Sequence, residues 1–214
     1  FSTAGGLSHR GVAQDGEVED YRVSTIVPDG PRRQWDFGDA PESYDTLLVD
    51  DGPRHMIVPG LHLGANIDSE VDGQPNGHAN GDDFMLFDDE DGVTFISPVH
   101  YGETVTIDVN ASAAGKLDAW LDFDDDGSFS EAGDQIFDSE PLVSGDNTLT
   151  FEMPNLSQAK LLTMARFRFS SEGGLDPTGP SADGEVEDHA VEIRKKVVHR
   201  FDFGDAPESY DTLL

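Results

Sequence analysis

The chain has 214 residues, of which 44 are acidic and 13 basic, for a formal net charge of −31. That charge excludes attraction to nucleic-acid backbones or anionic lipid through the net field, and the lack of cysteine excludes disulfides and thiolate metal sites. No run approaches the ~20 apolar residues of a membrane span, and 23 glycines with 12 prolines point to turns and short strands rather than helices.

The chain repeats itself. Residues 36–48 (DFGDAPESYDTLL) recur as residues 202–214, an offset of 202 − 36 = 166. Asp15–Asp20 (DGEVED) recurs as Asp183–Asp188, an offset of 183 − 15 = 168. The expected organisation is therefore the end of a preceding repeat in 1–35, one full repeat in 36–201 and the start of the next in 202–214. Without an initiator methionine or a signal peptide, the sequence reads as an internal piece of a longer protein.

In chain order, Glu17–Ile26 alternates and predicts a strand, followed by a Pro28-Asp29-Gly30-Pro31 turn. Residues 36–92 show little regular pattern, with Gly, Pro, Asn and Asp every few positions. A structureless loop of that length in a compact domain needs something to hold it. Its acids (Asp68, Glu70 and Asp72, then Asp82, Asp83, Asp88, Asp89, Glu90 and Asp91) suggest cations. From residue 93 the pattern becomes β: Val93–Ile96, Glu103–Val109, Leu117–Phe123, Gln135–Phe137, Thr148–Phe151, Leu161–Phe169 and Glu185–Ile193. In the third, Leu117, Ala119, Leu121 and Phe123 share a face and Trp120 takes the other. Asn155–Lys160 suggests one helical turn. The fold class expected is all-β: an antiparallel sandwich over 93–201 carrying a long, irregular, calcium-stabilised segment over 36–92.

The most specific chemical motif is Asp122-Phe123-Asp124-Asp125-Asp126-Gly127-Ser128. Oxygens at loop positions 1, 3 and 5 with Gly at 6 wrap a hard cation, and the Ser128 carbonyl supplies position 7. Position 12 is Gly133 rather than a bidentate Glu, so Glu131 or Asp134 must substitute. The loop follows a strand, which excludes a helix–loop–helix hand. Less specific candidates are Asp82 and Asp83; the run Asp88, Asp89, Glu90 and Asp91, whose mutual repulsion asks for neutralisation; Glu185 and Glu187 on one face of a strand; and the pair Asp36 and Asp39. Arg166 and Arg168 share the opposite face to Phe167 and are expected to pair with carboxylates. No HExxH, GxSxG or phosphate-binding glycine loop is present, and the seven histidines are scattered.

Taken in order, DFGDAPESY, GPRH (52–55), LGA (63–65), GDD (81–83), DDEDGV (88–93), AWLDFDDDG (119–127), ARFRFS (165–170) and DGEVED (183–188) resemble the GEVED-domain repeat of large bacterial extracellular proteins. Departures are small: His189 replaces the Tyr21 of the first copy, and Asp124 stands where Asn is common. The resemblance implies a secreted or surface-displayed, β-rich, calcium-binding module, and it brings no catalytic activity or defined ligand; the chain is expected not to be an enzyme. The functional expectation is a structural repeat of an extracellular filament, stalk or adhesin, whose partners are neighbouring copies joined head to tail, by strand addition among other means. The alternative is a glycan- or protein-binding sandwich of a secreted multidomain enzyme, which requires an exposed Trp120 or Trp35.

Overall fold

The computed structural model describes residue 15 and residues 34–81, 89–131, 133–155 and 162–194. The chain divides into two compact units, Phe1–Arg32 and Arg33–Leu214; of the first only Asp15 is described, and every strand named belongs to the second. The expected strand 17–26, the restart at 202–214 and residues 156–160 of the expected helical turn lie outside the described residues.

The described fold is all-β, with only two short 3-10 turns, Glu42–Tyr44 and Leu48–Asp50. Its strands are β1 (Trp35–Phe37), β2 (Arg54–Met56), β3 (Val93–Phe95), β4 (Val99–His100), β5 (Thr104–Ala111), β6 (Gly115–Leu121), β7 (Gln135–Leu142), β8 (Gly145–Glu152), β9 (Leu162–Ser170), β10 (Pro180–Ser181) and β11 (Glu185–Arg194). They form a five-stranded sheet ordered β4-β11-β9-β6-β7, a three-stranded sheet β3-β5-β8 and a small sheet β1-β2-β10. Pairing is antiparallel except β4 with β11 and β2 with β10, which are parallel. Two of the three sheets are therefore mixed where purely antiparallel ones were expected, and β3-β5-β8 is antiparallel throughout.

Period-2 alternation explains the core. Val105, Ile107 and Val109 of β5 turn one way, and Leu117, Ala119 and Leu121 of β6 with Ala165, Phe167 and Phe169 of β9 turn towards them; all nine are fully buried. Each large side chain so buried contributes roughly 1.5–3 kcal/mol. The five-stranded sheet thus packs on β3-β5-β8, and Phe137 of β7 meets Phe151 of β8 edge-on, centroids 6.1 Å apart.

The second face of the five-stranded sheet is also covered. Trp120, Met164, Arg166, Arg168, Val186 and Asp188 project there and are buried. What covers them is the irregular segment: Ala40, Tyr44 and Ala79 cluster with Trp120, Phe129 and Met164. Arg166 supplies donors both to it and to the loop between β9 and β10, and Arg168 holds the carbonyls of that same loop. Arg166 Nη1 donates to the Tyr44 carbonyl at 3.2 Å and the Pro177 carbonyl at 2.9 Å. Arg168 donates to the carbonyls of Asp176 (2.6 Å), Thr178 (2.7 Å) and Gly179 (2.8 Å). A loop with few ladders of its own is satisfied by side chains of the sheet beneath it.

The two repeated motifs meet each other. Val186 N–H donates to Asp36 Oδ2 at 2.7 Å, and Ala40 N–H to Asp188 Oδ2 at 2.9 Å. Gly38 sits so close to the Asp188 carboxylate that a Cβ would collide with it. Gly184, at φ +92°, lies against the Phe169 carbonyl, where a side chain has no room. DFGDAP and DGEVED are the two halves of one buried contact.

Candidate metal centres

The loop after β6 is shaped by Asp122, which is fully buried. Its Oδ1 accepts the Asp126 N–H at 3.2 Å; its Oδ2 accepts the Gly127 N–H at 3.0 Å and the Tyr44 hydroxyl at 2.8 Å. Left-handed Asp125 (φ 55°) and Gly127 (φ 88°) close the bend. Carboxylate oxygens of Asp122, Asp124 and Asp126 come within 4.8 Å of one another. Three of the roughly four lone-pair directions on Asp122 are taken, leaving one for a cation.

Asp134, just before β7, is 4% exposed. Its Oδ1 accepts the Phe123 N–H at 3.4 Å, while no donor reaches the buried Oδ2. Burial, reinforced by Glu131 and Asp122, pushes its carboxyl up to about 7. Asp126 is also raised, by lost hydration and then by Glu131, Asp124 and Asp122. The structure groups the carboxylates of Asp122, Asp124 and Asp126; Asp134 joins the loop through the Phe123 N–H, and the Glu131 carbonyl accepts the Asp134 N–H at 3.0 Å. Ser128 belongs to the same turn, its N–H on Asp126 Oδ1 at 2.9 Å and its hydroxyl on Ser130 Oγ at 2.8 Å.

A second group gathers Asp68, Glu70 and Asp89, with oxygens within 4.8 Å of one another. Glu70 forms an isolated bridge with Trp35 of β1. Its Oε2 accepts the Phe37 N–H at 3.1 Å, and its buried Oε1 has no donor. Burial, with Asp68 and Asp36, pushes the Glu70 carboxyl up to about 10. Glu185, 1% exposed, accepts the Leu63 N–H on Oε2, and its Oε1 is buried without a donor. Its carboxyl is raised by burial first, then by Glu187, Asp36 and Asp89.

The remaining predicted ligands separate from these groups. Glu187 accepts Gly92 N–H (2.8 Å), Val93 N–H (3.1 Å) and contacts His189 Nε2 (3.1 Å), so it clamps the entry to β3. Asp91 holds the Ala65 N–H (2.7 Å) and Asn66 Nδ2 (2.9 Å) and is exposed. Asp39 accepts the Gly81 N–H at 2.7 Å. Glu90 is half-buried and in neither group. Asp82, Asp83 and Asp88 lie outside the described residues. Asp68 and Glu70 were legible only as two acids among many. The signal that places them is the alternate Asp-x-Glu spacing beside a strand.

Arg166 and Arg168 divide. Arg166 pairs with Asp188 through Nε–Oδ1 at 2.7 Å and Nη2–Oδ2 at 2.9 Å. Arg168 Nε donates instead to His55 Nε2 at 3.0 Å, and burial with the neighbouring Arg166 lowers its guanidinium to about 9.

Among the described residues no helix is long and apolar enough to cross a membrane. Neither the curated proteins nor the solved structures include a match to this chain. The GEVED domain family does match, over residues 116–192, from β6 through the Asp122 loop into the DGEVED strand. Over residues 116–192 the chain is similar to the GEVED domain family.

Proposed function

We propose that the chain is a calcium-binding structural repeat of a giant secreted or cell-surface protein, and that neighbouring copies join head to tail into an extracellular filament, stalk or adhesin. The observation that carries the reading is the Asp122 loop: three carboxylates converge within 4.8 Å and the buried Asp134 Oδ2 faces no donor. Asp122 and Asp134 are buried while Asp124 and Asp126 are exposed, and a hard cation with oxygen ligands would satisfy such a set. The mutual docking of DFGDAP and DGEVED supports a repeat unit that begins near Asp36 and closes with the β11 strand. Trp120 is 3% exposed, which favours a structural role over a glycan-binding platform.

The test is thermal unfolding in calcium, in magnesium and in a calcium chelator. A calcium-specific rise in Tm is expected, on the order of 2.7 kcal/mol of stabilisation at a hundredfold excess over Kd, and Asp124→Asn/Asp126→Asn should remove most of what the loop contributes. An identical Tm in all three conditions would refute calcium binding. Sedimentation of a two-repeat chain with and without calcium tests the joining: a strictly monomeric, flexibly linked species in calcium counts against it.

A further inference from the structure

We propose that Asn76 is a self-modifying residue: its side-chain amide is lost as ammonia through a cyclic imide closed by the Gly77 nitrogen, and water then leaves an aspartate or isoaspartate in its place. The sequence has two Asn-Gly pairs in one loop, Asn76-Gly77 and Asn80-Gly81. Glycine lets the following nitrogen swing onto the side chain, because no Cβ shields it. The structure treats the two pairs differently. Asn76 Oδ1 accepts the His78 N–H at 2.7 Å. The hydrogen-bonded ring so formed contains both reacting atoms, Asn76 Cγ and the Gly77 nitrogen. When that nitrogen adds to Cγ, negative charge develops on Oδ1, where the His78 N–H already points; a donor preset at a developing charge lowers such a barrier. Among the described residues no acceptor takes the Gly77 N–H. Gly77 and His78 are exposed to water.

The second pair is tied down. Gly81 N–H donates to the buried Asp39 Oδ2 at 2.7 Å, so the nitrogen behind Asn80 keeps its proton and its orientation. Gly92 after Asp91 and Gly127 after Asp126 are held likewise, on Glu187 Oε1 at 2.8 Å and Asp122 Oδ2 at 3.0 Å. The step at Asn76 needs only water. The Gly77 N–Cγ bond forms as Cγ–Nδ2 breaks, and the Gly77 proton leaves with Nδ2 as ammonia. Water then opens the imide at Cγ to give aspartate, or at the main-chain carbonyl to give isoaspartate. The consequence falls on the covering layer. Asn76 N–H donates to the Asp39 carbonyl at 2.8 Å, and the Asn76 carbonyl accepts the Ala79 N–H at 3.3 Å. Ala79 is 6% exposed, left-handed at φ 48°, and packs in the cluster of Tyr44, Trp120 and Met164. Isoaspartate turns the carbonyl that holds Ala79 into a free carboxylate and lengthens the main chain by one methylene, so conversion loosens this loop from the five-stranded sheet. The inference needs no cation and stands apart from the proposed function.

The experiment is incubation of the full chain in mildly alkaline buffer, with a parallel sample in concentrated urea, followed by peptide mapping that detects aspartate and isoaspartate at both sites. In the native protein, conversion at Asn76 should run at least about tenfold faster than at Asn80, the difference that one well-placed hydrogen bond makes to a barrier. In urea the two sites should convert at comparable rates. Equal native rates, or a faster Asn80, overturn the proposal; so does an Asn76 that stays intact in the native sample while it converts in urea. Gly77→Ala gives an independent readout, because a Cβ at Gly77 meets nothing within 4 Å. That variant should keep the Tm of fresh wild type and suppress conversion at Asn76; undiminished conversion overturns the role of the Gly77 nitrogen. Aged wild type should melt lower than fresh protein, and aged Gly77→Ala should not. Converted wild type that melts as before overturns the loosening.

Discussion

Asp188, the last residue of the GEVED motif, shows how much one carboxylate can organise. It binds Arg166 through two hydrogen bonds, caps the Ala40 N–H, and lies against Gly38, and neither it nor Arg166 is exposed. Arg166 also stands over the Phe129 ring, 5.1 Å from its centroid. Removing one partner of such a buried pair leaves the other charge stranded, so Arg166→Ala should cost ~3–5 kcal/mol. Arg166→Lys should recover little of this, because lysine lacks the planar fork. Urea unfolding measures both, and a loss below ~1 kcal/mol for the alanine variant would contradict the description. The arginine–carboxylate pairing was readable from two cations on one strand face in an acidic chain. The carbonyl partners of Arg168 were not, because Asp176, Thr178 and Gly179 offer backbone oxygens that carry no mark in the sequence. The glutamates of the motif were readable as facing one way. That Glu187 spends itself on N–H groups of Gly92 and Val93 depends on a contact across 94–95 residues, beyond any local pattern.

At the level of elements, the strands after residue 93 were legible because they alternate, and their observed ends differ from the expected ones by a few residues. β7 and β8 run longer than the pattern indicated, since the exposed positions of a half-buried hairpin carry no apolar signal. The segment 36–92 was legible only as an absence of pattern. The order of residues 36–81 comes from the surface beneath them, as β2 illustrates. His55 on that three-residue strand is fully buried, its Nδ1–H donating to the Asp183 carbonyl at 2.8 Å and its Nε2 accepting from Arg168. Burial and then the Arg168 charge hold it well below the ordinary imidazole range. The sign follows from linkage: a depressed folded value favours the native state above the unfolded value of about 6.5, and this contribution is lost as pH falls below it. Between pH 7.5 and 5.5 the loss should reach ~1.4 kcal/mol, equivalent to one proton. It should be absent from His55→Gln, which keeps a donor and an acceptor. Equal pH slopes for the two proteins in urea titrations would remove His55 from the account.

For the molecule as a whole, calcium and the irregular segment should be coupled. In chelator, limited proteolysis is expected to cut first within residues 57–81, while β5 and β9, central in their sheets, resist in both conditions. Cleavage of 57–81 at the same rate with and without calcium would show that ions do not hold it. The all-β class was readable from composition and alternation together. The layer formed by residues 34–81 on the outer face of the five-stranded sheet was not, because nothing in its own sequence says which surface it rests on.

The placement of β11 has a mechanical consequence. Asp36 of β1 is bonded to Val186 near the start of β11, and Arg194 ends that strand eight residues on, about 27 Å away at ~3.4 Å per residue. A pull between residues 34 and 194 therefore runs along the strand's own axis. β11 pairs with β9 from Glu185 to Glu192 and with β4 only at Ile193 and Arg194, so the ladder with β9 carries the load over most of its length. The eight residue pairs it shares with β9 would bear tension in shear, all together, and yield as a unit.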